Sequence, residues 1–207
     1  MSFGDLMIAY DERVLAPRTW TTMQSAWADE LLSDPPIGPV LELGCGAGQI
    51  GLLAVRAHPE RRLVCVDASE EACAFTRMNA EAAGLGGRVE ARLGDLAHAL
   101  APDEQFALVI ADPPWVPSAE IGRFPEDPTT AIDGGADGLD VARACIRVAA
   151  PRLTFGGAIL LQLGTRAQAS ALARETEGLT LADLRTGAGG VVALFRPEVS
   201  PLAVGYC

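Results

Sequence analysis

The stretch ELGCGAGQIG, residues 42–51, follows a short apolar run and carries glycine at three alternate positions, Gly44, Gly46 and Gly48. Glycine lets the backbone turn tightly and lets a ligand approach it closely, and the helical pattern that follows offers free N-terminal amides. A strand, a glycine loop and a helix in this order are typical of an α/β protein that holds a nucleotide-like ligand after its first strand.

Short apolar runs alternate with longer helical patterns along the whole chain. The predicted strands are 39–43, 62–67, 88–93, 106–111, 158–163, 179–185 and 191–195, and the predicted helices are 19–33, 49–57, 69–83, 137–152 and 166–177. Gly84 and Gly156 are predicted to end helices. The link TGAGG before the last run predicts a hairpin. The pattern therefore predicts an α/β fold whose seven-stranded sheet is mostly parallel, with an antiparallel last strand and helices on both faces.

Length and composition narrow the class of protein. The 207 residues predict one domain, 1–207, with a helical lead-in over 1–36 and a substrate loop over 112–135. Five scattered cysteines and two histidines show no metal-binding spacing, so we predict no metal site. With no apolar run of membrane-spanning length and no signal-peptide pattern, a cytoplasmic protein is expected. The net charge of −11 argues against a nucleic-acid partner.

The glycine loop permits two kinds of cofactor. Residues 46–51 form a literal G-x-G-x-x-G with Asp67 about 20 residues further on, which is the fingerprint of a nicotinamide dinucleotide site. Two features favour S-adenosyl-L-methionine instead. Glu42 would repel a pyrophosphate, whereas it can orient the loop or meet a cationic amino group. The loop also begins at Gly44, two residues before the fingerprint. Glycines that serve only tight packing are the simpler alternative.

Carboxylates follow the second and third predicted strands. Asp67 can accept hydrogen bonds from both hydroxyls of a ribose. The segment Gly94-Asp95-Leu96 ends the third strand, where Asp95 can accept a hydrogen bond from an adenine amino group while Leu96 contacts the ring. This third feature also favours S-adenosylmethionine. The alternative for Asp95 is a helix cap before the sequence AHAL.

The fourth predicted strand ends in DPPW, residues 112–115. Two prolines in series form a rigid turn, and they present the carbonyl of Pro113 in a fixed direction. Asp112 supplies a second acceptor, so the pair can hold both hydrogens of a planar NH₂ group while the nitrogen lone pair faces a sulfonium methyl. The indole of Trp115 can stack on the substrate. The alternative is a turn that ends the strand, with a tryptophan in the core.

Taken together, ELGCGAG, VDAS, GDL and DPPW resemble the class I S-adenosylmethionine-dependent methyltransferases, a Rossmann-like family, and in particular those that methylate amino groups. VLAPRTWT (14–21) and AIDGGADGLD (131–140) are similar to the VLIPRPET and ALDGGPDGLD stretches of the release-factor glutamine methyltransferases, the HemK/PrmC family. GGAILLQLG (156–164) resembles their GGxLLLEIG. The matches run from about Val14 to Phe195.

The resemblance implies a set of site residues. The implied cofactor is S-adenosyl-L-methionine, and the implied cofactor-binding residues are Thr21, Glu42, Gly44, Cys45, Gly46, Gly48, Asp67, Ala68, Gly94, Asp95, Leu96 and Asp112. The implied catalytic residues are Asp112, Pro113, Pro114 and Trp115.

Three departures from the family leave the methyl acceptor open. The family has NPPY where this chain has Asp112 and Trp115, and it has glutamate where this chain has Trp20. Only residues 1–38 precede the first predicted strand, whereas bacterial members carry a helical domain that docks the release factor. A release-factor glutamine, a small-molecule amine or amide, and a nucleic-acid adenine all remain alternatives, as do a nicotinamide-dependent oxidoreductase and a non-catalytic partner subunit. A homodimer or a small partner subunit is compatible with the sequence.

Overall fold

The computed structural model describes residues 1–96 and 98–198. Its strands are β1 Ser2–Phe3, β2 Leu6–Met7, β3 Val40–Leu43, β4 Leu63–Asp67, β5 Val89–Leu93, β6 Phe106–Ala111, β7 Leu153–Leu163, β8 Leu179–Gly187 and β9 Gly190–Pro197. Its α-helices are α1 Thr22–Leu32, α2 Gln49–Val55, α3 Glu70–Ala82, α4 Thr129–Ile132, α5 Asp140–Ala149 and α6 Arg166–Glu175.

Seven of the strands form one sheet in the order β5-β4-β3-β6-β7-β9-β8. β3 pairs in parallel with both β4 and β6, whereas β9 runs antiparallel to β7 and β8. The predicted mostly parallel sheet with an antiparallel last strand is confirmed. The chain moves from β3 toward one edge and then returns to the other side of β3 with β6. The topological switch point, where such sheets bind ligands, therefore lies between β3 and β6.

Helices cover both faces of the sheet. α1, α2 and α3 pack on the face that receives Leu108 and Ile110 of β6, and α5 and α6 pack on the face that receives Val109. All six residues of β6 are buried. Because alternate strand residues point to opposite faces, a continuous apolar run such as FALVIA is what a central strand covered on both sides requires.

Several predicted boundaries are wrong. The predicted helix 137–152 begins only at Asp140, because the carboxylate of Asp137 accepts the N–H of Leu139 in a turn. Gly156, predicted to end that helix, has a φ of 79° inside β7, which begins at Leu153 rather than at 158. Gly84 follows α3 with a φ of 73°, as a helix-ending glycine should.

The lead-in predicted as helical over 1–36 is helical only from Thr19, where a 3₁₀ turn precedes α1. Before it come the β1–β2 hairpin and an irregular segment, which the side chain of Asn79 ties to α3 by bonding both the N–H and the carbonyl of Ala9. Residues 13–18, which we call the strap, follow that segment. The predicted substrate loop also contains helix, a 3₁₀ turn at Ser118–Arg123 and α4.

Candidate active site

A cavity of about 520 Å³ lies beyond the carboxyl ends of β3, β4, β5 and β6, and it is also lined by the strap and by Pro128, Thr130 and Ala131. The sequence-predicted site residues that line it are Gly44, Cys45, Gly46, Asp67, Ala68, Gly94, Asp95, Leu96, Asp112, Pro113 and Pro114. Four of the predicted residues lie outside its lining: Thr21, Glu42, Gly48 and Trp115. The buried Thr21 uses its hydroxyl to bond the carbonyl of Arg18.

The glycines of the loop serve two different purposes. Gly44 and Gly46 have φ values of 68° and 55°, and a Cβ on either would meet no atom within 4 Å, because that space belongs to the cavity. Gly48 has a φ of 79°, but a Cβ there would lie 2.9 Å from the hydroxyl oxygen of Thr76. Gly44 and Gly46 thus leave backbone open to a ligand, whereas Gly48 allows close packing of α2 against α3.

Asp67 is fixed by the backbone around it. Its Oδ2 accepts the N–H of Gly46 and its Oδ1 accepts the N–H of Ser69, both at 2.9 Å. A carboxylate oxygen has two acceptor positions, so each oxygen keeps one for a ligand. The arrangement fits a pair of hydroxyl donors such as those of a ribose.

Glu42 lies beneath the loop rather than in the cavity. Its Oε1 accepts the N–H of Gly51 at 3.1 Å, and its Oε2 accepts the thiol of Cys65 at 3.5 Å. Burial raises the pKa of Glu42 to about 8. Of the two roles predicted for Glu42, the contacts fit orientation of the loop and of the start of α2. They do not place it against a ligand cation.

Asp95 stands at the cavity edge with its side chain 63% exposed. One carboxylate oxygen lies 2.8 Å from Nδ1 of His98, and the other accepts the His98 N–H at 3.2 Å. The carboxylate therefore closes a turn. The bond from the His98 N–H has the spacing of the helix cap that was the alternative for Asp95, but the described residues after it form a turn rather than a helix.

The DPPW turn places two acceptors at the end of β6. Asp112 is half-buried, and burial alone raises its pKa to about 7. No donor in the described part of the chain bonds the carbonyl of Pro113. The strand end before them is fixed, because Nε2 of Gln24 bonds the carbonyl of Ala111 at 2.9 Å. A rigid turn thus offers the cavity a carboxyl and a carbonyl without protein partners, as a planar NH₂ group requires.

The segment AIDGGADGLD makes room for that turn. A Cβ on Gly134 would lie 2.7 Å from the carbonyl oxygen of Pro114, and one on Gly138 would lie 2.3 Å from that of Trp115. The N–H of Gly134 bonds the carbonyl of Val116 at 2.9 Å. The glycines of this motif therefore permit the close contact that holds the DPPW turn.

Trp115 is held away from the cavity. A Cβ on Gly164 would lie 2.4 Å from the Trp115 ring, so the indole rests on the backbone after β7. Nε2 of Gln168 bonds the Trp115 carbonyl at 2.9 Å. In this conformation the indole supports the turn, and it is not positioned to stack on a ligand in the cavity.

Sequence reasoning missed two residues around the cavity. Arg18 of the strap lines the cavity, lies over the Trp20 ring at 5.5 Å and pairs with Asp127, which precedes the lining residue Pro128. Gln24 of α1 secures the end of β6. Arg18 falls within the motif VLAPRTWT, but nothing in the sequence indicated its partner Asp127, which lies 109 residues away.

The cavity lies at the switch point of the sheet and is lined by an open glycine loop. A carboxylate ends β4, and two acceptors follow β6. Together these features define a class I methyltransferase site. Comparison with known proteins agrees. Residues 25–123 match the methyltransferase small domain family. The chain is 32% identical to the ribosomal protein uL3 glutamine methyltransferase of Burkholderia pseudomallei, over 94% of this chain and 67% of that protein. It is 36% identical to the release factor glutamine methyltransferase of Deinococcus radiodurans, over 97% and 68% respectively.

This chain belongs to the family of glutamine methyltransferases that contains those two proteins, and it is an S-adenosylmethionine-dependent methyltransferase. The fold is also that of the N-terminal domain of human METTL16 bound to S-adenosylhomocysteine, with a TM-score of 0.66 and 16% identity over 92% of this chain and 75% of that one. The chain spans between 46% and 68% of the length of the relatives described as glutamine methyltransferases. In the part that the structure describes, α-helices are all too short or too polar to cross a bilayer.

Proposed function

We propose that this protein transfers a methyl group from S-adenosylmethionine to the side-chain amide nitrogen of a glutamine in a protein of the translation apparatus. The observation that carries the proposal is the pair of acceptors on the DPPW turn, the carboxyl of Asp112 and the carbonyl of Pro113. Both residues line the cavity, and the described chain supplies no donor to either acceptor. The names of the relatives, release factor and uL3 glutamine methyltransferases, support a protein glutamine as the acceptor.

The residues that would hold the cofactor follow the order of the strands. Asp95 and Leu96 after β5 lie where an adenine would bind, Asp67 after β4 accepts ribose hydroxyls, and Gly44 and Gly46 after β3 leave room for the methionine part. Bound there, S-adenosylmethionine supplies a methyl group activated by the neighbouring sulfonium. Asp112 follows β6, the next strand in the sheet order, and this supports a position for it beside that methyl group.

The acceptors of the turn orient the substrate nitrogen. Asp112 and Pro113 each take one hydrogen of the NH₂ group, which directs the nitrogen lone pair along the line of methyl displacement. Transfer would form the N–C bond as the C–S bond breaks and its electron pair returns to sulfur, and positive charge would then develop on the nitrogen. Ionised Asp112 stabilises that charge and accepts the proton that the nitrogen releases.

The carboxyl of Asp112 favours a second candidate, a small-molecule amine. Asparagine in the family can both donate and accept, whereas ionised aspartate only accepts. Methylation leaves a full positive charge on an amine nitrogen. A carboxylate therefore stabilises a methylated amine more than it stabilises a methylated amide.

Transfer of labelled methyl to a release factor, to ribosomal protein uL3 and to a panel of small amines and amides tests the proposal. We expect one methyl group on one of the two proteins by intact mass, added ~100-fold or more slowly when Asp112→Ala replaces the wild-type enzyme. Methylation of a small amine alone would establish the second candidate. No transfer to either protein, in a sample shown to bind S-adenosylhomocysteine, would contradict the first.

A further inference from the structure

Gln49 is a polar residue of the cavity that the site described above does not use. It is the first residue of α2, and it lines the cavity. Its Oε1 is buried and has no hydrogen-bond partner. Its Nε2 likewise has no hydrogen-bond partner among the described residues.

The buried, unpaired amide oxygen of Gln49 has a chemical consequence. Leaving a buried acceptor unpaired is unfavourable, and a ligand that supplies a donor removes that cost. The amide can also rotate to exchange its oxygen and nitrogen, so it serves a donor and an acceptor equally well. Gln49 therefore fits a ligand group that presents both kinds of atom, and an apolar ligand surface would leave the cost in place.

The position of Gln49 selects one end of the cofactor. The nucleoside is assigned to the ends of β5 and β4, through Asp95 and Asp67, and the reacting nitrogen to the end of β6. Gln49 follows the glycine loop of β3, which lies between β4 and β6 in the sheet. The methionine part of the cofactor crosses this loop, and it ends in an α-ammonium, which donates, and an α-carboxylate, which accepts.

We propose that the side-chain amide of Gln49 binds the α-amino and α-carboxylate groups of the methionine part of S-adenosylmethionine. The proposal rests on the placement of the cofactor given under the proposed function. Gln49 thereby anchors the end of the cofactor beyond the sulfonium and limits its movement along the cavity. Arg18 of the strap, which also lines the cavity, is already engaged by Asp127. Gln49 is a positioning residue, since it holds the methyl donor without touching the acceptor.

Binding of two ligands distinguishes this contact from a general effect on the fold. S-adenosylhomocysteine has the amino-acid end, whereas 5′-methylthioadenosine has the same nucleoside and sulfur without it. The test variant is Gln49→Met, which keeps the length of the side chain and removes the amide. Titration calorimetry of both ligands with the wild-type protein and the variant gives four dissociation constants.

We expect Gln49→Met to weaken the binding of S-adenosylhomocysteine about tenfold, as loss of a hydrogen bond to a charged group predicts. The dissociation constant of 5′-methylthioadenosine should change by no more than about twofold. Equal weakening of both ligands, or no change in either, would overturn the proposal.

Asp67→Asn serves as the matched variant for the nucleoside end, and it should weaken both ligands alike. If Asp67→Asn weakens the binding of neither ligand, the assignment of Asp67 to the ribose is wrong, while the measurements on Gln49→Met still test the contact with the amino-acid end. If the wild-type protein does not bind S-adenosylhomocysteine, the cofactor assignment fails and the proposal fails with it.

Discussion

The guanidinium of Arg18 pairs with the carboxylate of Asp127, joining two segments that are 109 residues apart in the chain. Arg18 lies in the strap and Asp127 in the segment that precedes α4, and residues of both segments line the outer wall of the cavity. The Asp127 side chain is only 11% exposed. The ion pair therefore closes the wall that faces the switch point of the sheet.

Removing this ion pair should loosen the wall. Asp127→Asn keeps the size of the side chain and removes its charge. We expect S-adenosylhomocysteine to dissociate roughly threefold to tenfold faster from this variant, because a partly buried ion pair contributes more free energy than an exposed one. Stopped-flow measurement of ligand release gives the rate. Glu126→Gln is the matched control, since Glu126 is exposed and has no ion pair with the described residues. Equal rates in both variants would argue against the closing role.

Glu42 should make the protein less stable as the pH rises. Its pKa is about 8 in the folded chain against 4.5 for an ordinary glutamate, so the folded state binds the proton more tightly. The contribution to stability is complete below about pH 4.5 and is lost as the pH rises through about 8. Glu42→Gln should remove this dependence and raise the free energy of unfolding at pH 8.5 by on the order of 1–3 kcal/mol. Urea titrations at several pH values measure it, and a parallel dependence in both proteins would show the expectation to be wrong.

Gly138 should not tolerate a side chain. It has a φ of 76°, and a Cβ would lie 2.3 Å from the carbonyl oxygen of Trp115. Gly138→Ala is expected to lower the free energy of unfolding by at least about 2 kcal/mol and to reduce methyl transfer, because it displaces the DPPW turn. Gly87→Ala is the control, since a Cβ there meets nothing within 4 Å. Similar unfolding curves for the two variants would refute the tight contact.

Methyl transfer should depend on the ionisation of Asp112. Burial raises its pKa to about 7, and the ionised form stabilises the charge that develops on nitrogen. The rate of transfer at saturating substrate is therefore expected to increase between about pH 6 and pH 8. Asp112→Asn should abolish this increase while S-adenosylhomocysteine binding stays nearly unchanged. A variant that retains the wild-type pH profile would assign the ionisation to another group.

Much of the fold was predictable because its signals are local. The apolar run FALVIA and the loop after β3 each carry their pattern within ten residues. FALVIA is confirmed as a central strand, and the loop lines the cavity. The helix end at Gly156 was wrong because a left-handed glycine ends a helix and bends a strand equally well, and only the pairing of β7 decides between them.

The site was predictable where the backbone fixes it and not where distant residues do. Asp67 and Asp112 follow strand ends, so their places at the cavity follow from the topology. The Trp115 ring turns toward Gly164, and the side chain of Gln168 bonds the Trp115 carbonyl. These contacts join residues about 50 positions apart, so no local sequence pattern indicates them. Glu42 was assigned to the ligand from its neighbours in sequence, while its partners come from α2 and β4.

The most direct test of the central claim is to locate the transferred methyl group by peptide-level mass spectrometry. A release factor and ribosomal protein uL3 would each be incubated with S-adenosylmethionine and either the wild-type enzyme or Asp112→Ala. We predict one methyl group on the side-chain nitrogen of a single glutamine, with the rate reduced ~100-fold or more by Asp112→Ala. A methyl group on another type of residue, or equal transfer by the variant, would contradict the assignment of the DPPW turn as the site that holds the glutamine amide.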